Sequence, residues 1–96
     1  MVKNIKIPEE FGVKWKNKLL RPSKHAYFEM VDLGLDLYDL KSILEFGYDC
    51  SKQKRSKDTI EKCLKKGKKE FKVVIIKSYS FDIDDEVWLI KHVGGK

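Results

Sequence analysis

The two longest unbroken apolar runs in the chain, Val73–Ile76 and Val87–Ile90, are four residues each, and Asp82, Asp84, Asp85 and Glu86 lie between them. Runs this short fall far below the roughly 20 apolar residues that a membrane-crossing helix needs. Their β-branched and aromatic composition is that of strands covered on both faces, where no polar alternation is required. Phe71 extends the first run and Val93 the second, so the segments predict the centre of a sheet, joined as an antiparallel hairpin through the acidic loop.

A chain of 96 residues supports one hydrophobic core, so residues 1–96 are expected to form a single domain. With 42% hydrophobic residues it can offset chain entropy by burial and lacks the composition of a disordered segment. The first ten residues, Met1 to Glu10, have no apolar core or small-residue cleavage site, which argues against a secretory signal and for a cytoplasmic location. Cys50 and Cys63 lack the close pairing of a zinc or redox motif and are expected to be two reduced thiols that bind no metal, a bridge between them being the minority reading. Nineteen Lys against two Arg, with two Asn and one Gln, resembles the composition of thermostable proteins, in some of which intracellular disulfides persist.

Ser23 precedes Ala26, Tyr27, Met30, Val31 and Leu33 at helical spacing and is an expected N-cap, with Gly34 as the stop. Asp36, with Asp39 three residues on, reads as the capped start of a second helix whose apolar stripe is Leu37, Leu40, Ile43 and Leu44, ending at Gly47. The expected helices are Lys24 to Leu33 and Leu37 to Phe46, packed on a sheet centred on Lys72 to Lys77, with Leu40, Ile43, Leu44, Val74 and Ile76 in one core. Ile5 and Ile7, and then Val13 and Trp15, alternate with lysines as in short half-exposed strands. Thr59 to Lys66 reads two ways: Ile60, Cys63 and Leu64 match helical spacing, while Lys65-Lys66-Gly67-Lys68 resembles a hairpin turn, and a strand that returns into the central run is the preferred reading.

Charge is unevenly distributed. Met1 to Phe28 carries +5, Glu29 to Cys50 −5, Ser51 to Lys72 +7 and Val73 to Lys96 −1. The third segment holds ten basic against three acidic side chains, a density that self-repulsion penalises unless an anion relieves it. Lys52, Lys54, Arg55, Lys57, Lys65, Lys66, Lys68 and Lys69 are the expected nucleic-acid-binding residues, with Lys16, Lys18 and Arg21 as neighbours. Contact of this kind gives affinity and salt dependence without sequence choice. The competing reading is a solvated lysine surface. Tyr48, Tyr79 and Trp15 are candidates to stack on unpaired bases, though such rings more often belong to the core or its rim.

No P-loop, dinucleotide fingerprint or zinc spacing is present, and no cofactor is expected. The Asp82 to Glu86 cluster lacks the glycine turn and distal Glu of a calcium loop and reads as a solvated turn. His25 and His92 stand at no recognisable triad spacing; His92, beside Lys91, is the candidate general acid or base, with Arg55 and Lys77 as companions.

The string Ser23-Lys24-His25-Ala26-Tyr27-Phe28-Glu29-Met30, followed by Leu33-Gly34 and the second helix, resembles a family of small microbial domains with the signature H-A-x-x-R-M-x-x-R-G. That family is related to the BrnT toxins and, more remotely, to RelE and ParE type toxins. The resemblance implies an α+β fold, two short helices on a small antiparallel sheet. This chain matches at His25, Ala26, Met30 and Gly34 but has Glu29 and Leu33 where the family often has Arg. It implies an RNA-binding protein of toxin-like fold, whose enzymatic version would be a metal-independent endoribonuclease. The alternative is a non-catalytic module that docks a small protein partner, as an antitoxin would. No membrane partner is expected.

Overall fold

The computed structural model describes residues 12–51 and 58–95, and every structural statement below concerns these. The strand expectation at Ile5 and Ile7 and the basic residues Lys52, Lys54, Arg55 and Lys57 lie outside them. In chain order the elements are β1 (Lys14–Trp15), β2 (Lys18–Pro22), α1 (Lys24–Leu33), α2 (Leu37–Phe46), β3 (Tyr48–Asp49), β4 (Thr59–Lys66), β5 (Lys69–Ser80) and β6 (Asp85–Gly95). The strands form one six-stranded sheet in the order β1-β2-β6-β5-β4-β3, and the two helices cover one of its faces. None of its helices is long and apolar enough to cross a membrane.

Both helices have the expected bounds because their ends are written locally. Ser23 Oγ accepts from Ala26 N at 3.1 Å, and Gly34 closes α1 in the left-handed conformation with φ 70°. Asp36 and Asp39 complete a reciprocal capping box at 2.9 Å each way. Gly47 ends α2 for a different reason: a Cβ there would collide with the carbonyl oxygens of Ile43 and Cys63, so only glycine lets the helix end lie against β4.

β5 is central, paired antiparallel with β4 on one side and β6 on the other, as its apolar run predicts. Its inward residues are Phe71, Val73 and Ile75, which meet Leu37, Leu40, Ile43 and Leu44 of α2, Ala26 and Met30 of α1, and Ile90 and Val93 of β6. The expectation that Val74 and Ile76 join this core is wrong. Val74 is buried on the opposite face and Ile76 is only half-buried. A continuous apolar run carries no polar alternation, so its phase cannot be read from the run itself.

The sheet is mixed, not purely antiparallel, because β2 pairs parallel with β6, Leu19 opposite Val87 through Pro22 opposite Ile90. No local pattern in the sequence marks β2. It forms a hairpin with β1 across Lys16 and Asn17, both at positive φ (49° and 67°), the pattern of a type I′ turn without its usual glycine. Trp15 and Trp88 close this end of the core with rings 5.8 Å apart, and Trp88 Nε1 donates to Trp15 O at 3.0 Å.

The thiol expectation is overturned: Cys50 and Cys63 form a disulfide. The β3–β4 register sets Tyr48 opposite Cys63 and Asp49 opposite Lys62, so Cys50, two residues past Tyr48, falls diagonal to Cys63 on the same face, with the Cα atoms 5.8 Å apart. The sequence separation of 13 gave no hint of that pairing.

Two outcomes follow. Leu40→Ala, at a side chain with no exposed surface, should cost about 2–5 kcal/mol in urea unfolding. Alkylation after unfolding without reductant should find no free thiol, and replacing both cysteines by Ser should lower stability by about 3 kcal/mol, as expected for a loop of this size.

Candidate functional site

The β4–β5 turn gathers the described half of the basic stretch. Lys66 and Lys69 face each other across it, Gly67 sits at its first central position with φ 63°, and Lys65, Lys66, Lys68 and Lys69 are all exposed. A two-residue turn with glycine at that position matches the right-handed twist of the strands it joins. Among the described residues, no acidic side chain forms an ion pair with these four. Lys65 is opposite Glu70, but that carboxylate is engaged by the Tyr48 hydroxyl.

The other basic candidates lie elsewhere. Lys18 pairs with Glu86 at 3.7 Å, Arg21 with Asp82 at 3.6 Å and with Ser80 Oγ at 2.7 Å, and Lys16 lies 4.8 Å over the Trp15 ring. These contacts cluster around the β5–β6 turn, at the far end of β5 from Lys69, about 30 Å away at the usual rise per strand residue. Lys16, Lys18 and Arg21 therefore do not neighbour the lysine turn. Of the aromatic candidates, Trp15 is core, whereas Tyr48 and Tyr79 are exposed. Asp82 and Asp84 lie in the exposed β5–β6 turn, as read from the sequence, while Asp85 and Glu86, also exposed, already open β6.

The suggested catalytic set does not assemble. His92 is opposite Val74 and Lys77 is opposite Trp88, so they stand three residues apart along β5 and on opposite faces. Lys77 is tied to Asp58 at 3.6 Å, and Arg55 lies outside the described residues.

What His92 does meet is Glu29. Glu29 Oε2 is 2.9 Å from His92 Nδ1 and 3.2 Å from His25 Nε2, while Glu29 Oε1 accepts from Val93 N at 2.8 Å. The two imidazoles stack with ring centroids 6.2 Å apart. His25 and Glu29 share a helix face at i and i+4, a spacing that the sequence itself carries, whereas nothing local signals that His92 joins them.

His92 also borders a cleft of about 510 Å³ whose wall includes Glu61, Lys72, Tyr48 and the disulfide. Strand register explains the grouping: Glu61, Val74 and His92 share one face of adjacent strands, as do Cys63, Lys72 and Gly94 one step on. Glu61 has its side chain 5% exposed, and is held by Lys72 Nζ at 3.4 Å. At the rim, the Glu70 carboxylate accepting the Tyr48 hydrogen bond holds that phenol above its ordinary value of 10.0, with burial and the carboxylate's charge acting in the same direction. A raised phenol pKa contributes stability that is complete below pH 10 and lost as pH rises through the raised value. Glu70→Gln should bring one tyrosine's alkaline titration, followed by near-ultraviolet absorbance, back toward the ordinary range.

Comparison of the chain with protein-family models, with curated proteins and with solved structures found no match. The chain is a small α+β domain, two helices on a six-stranded mixed sheet, with a lysine-tipped hairpin at one end and a His–Glu–His cluster where α1 meets β6.

Proposed function

We propose that the chain is an RNA-binding domain that takes phosphate groups on the β4–β5 turn. The observation that carries this reading is the set of four exposed lysines, Lys65, Lys66, Lys68 and Lys69, raised on one tight turn with no acidic partner among the described residues. Lys66 directly opposite Lys69 is a like-charge pair, which destabilises a hairpin unless an anion lies between the ammonium groups. The +7 charge of Ser51 to Lys72 and the resemblance of the Ser23 to Met30 string to toxin-like domains support the same reading. The finer assignment to a BrnT or RelE type fold belongs to this proposal and rests on that string.

The reading stops at binding, because Lys77 and His92 do not share a face and a ribonuclease built on them lacks its second group. A second reading, docking of a small protein partner, is favoured by Tyr27, Phe28 and Val31, which α1 presents to solvent.

Filter binding of single-stranded RNA separates the two. Neutralising about four to five phosphates gives a log-log salt slope of order −3 to −4, with little sequence preference. Replacing Lys65, Lys66, Lys68 and Lys69 by Ala should flatten the slope by about 3 while the unfolding midpoint stays unchanged. Absence of RNA retention at low salt would leave the docking reading alone.

A further inference from the structure

We propose that His25, Glu29 and His92 form a binding site for a divalent transition cation of the zinc type, where α1 meets the outer edge of β6. The site is independent of the RNA reading and uses none of its residues. Its donor atoms, one from each side chain, all lie within 4.8 Å of one another. A four-coordinate zinc with bonds near 2.1 Å separates its ligands by roughly 3.4 Å, and Glu29 Oε2 already stands 3.2 Å from His25 Nε2 and 2.9 Å from His92 Nδ1. Opening these pairs by a few tenths of an ångström and drawing the two imidazoles onto a shared ion are small movements, the larger of them open to His25, whose side chain is 73% exposed.

The cluster is built from both sides. Glu29, with its side chain 22% exposed, is fixed by Val93 N donating to its other oxygen, the outer-shell support that ligating carboxylates ordinarily have. His92 is fixed by its place in β6, and its far nitrogen, Nε2, lies over Gly94, where a Cβ would stand 3.2 Å from it. Two imidazoles and one carboxylate are borderline ligands that suit zinc, cobalt or nickel and do not make the all-oxygen shell that calcium or magnesium takes. Three protein ligands leave a coordination position for water or an anionic oxygen.

Metal entry exchanges protons for a cation. The ion takes the lone pairs of His25 Nε2 and His92 Nδ1, so a proton on either nitrogen passes to the other nitrogen of a neutral ring, or to solvent from a cationic one, and the Glu29 carboxylate then donates to the ion as well. The Cys50–Cys63 disulfide removes the two thiols as competing ligands, so the histidines on this surface are the strongest donors among the described residues.

The test is titration of the untagged, chelator-treated chain with zinc chloride by calorimetry and with cobalt chloride by visible absorption, both without reductant. One equivalent should bind, with the cobalt bands of a four- or five-coordinate site. His25→Ala and His92→Ala should each weaken binding at least tenfold, and Glu29→Gln, which can still accept from Val93 N, should do the same. Lys91→Ala, next to His92 and exposed, should leave affinity unchanged. Unfolding midpoints identify any variant whose loss of metal reflects loss of fold, and His25→Ala, at an exposed side chain, keeps the test decisive. No uptake of either metal, or uptake that survives either histidine substitution, overturns the site.

Discussion

β6 carries one more residue than its partner. Val74 stands opposite His92 and Ile75 opposite Ile90, so Lys91 has no counterpart on β5. Side chains along a regular strand alternate between faces, and without the extra residue Ile90 and His92 would point the same way. The bulge puts Ile90 and Val93 together in the core and turns His92 to the opposite face, beside Gly94 and the Glu61–Lys72 pair. Both the burial of the apolar end of β6 and the meeting of His92 with Glu29 depend on that one insertion. An imidazole in the core would need partners that Leu37, Ile43 and Val73 cannot offer.

The legibility of the fold follows the range of the interactions that decide it. α1 and α2 could be read to the residue because their caps, Ser23, Gly34, Asp36 with Asp39, and Gly47, act within four positions of where they stand. β5 and β6 could be read as a hairpin because two β-branched runs joined by a polar turn leave few other arrangements, whereas in β4 Ile60, Cys63 and Leu64 fit helical spacing as well and only the turn at Gly67 favoured a strand. β2 could not: Lys-Leu-Leu-Arg-Pro shows no alternation, its hairpin turn is Lys-Asn, and its parallel partner lies some seventy positions later, a pairing no local pattern specifies. The phase of Val73 to Ile76 was hidden for the complementary reason, since every residue of the run is apolar.

The candidate site divides the same way. The lysine turn is a local object and was found from composition and Gly67 alone. The disulfide and the His25–Glu29–His92 cluster are products of register and of α1 crossing the sheet, and no spacing rule reaches across 63 residues from Glu29 to His92. Glu29 appeared in the sequence only as a departure from an arginine signature. In the fold it is the residue through which helix and strand are fastened.

That fastening bears on how the molecule avoids its own kind. β2 accompanies β6 only as far as Ile90, where Ser23 N donates to the Ile90 carbonyl and the chain turns away into α1. Beyond that point the outer rim of β6 would present unsatisfied main-chain donors, the surface onto which another extended chain can add itself. Glu29 Oε1 takes the Val93 N–H that a neighbouring strand would otherwise have used. A single side chain thus stands in for a strand at the place where the neighbour of β6 runs out, and an added chain would have to displace Glu29 to use the Val93 N–H.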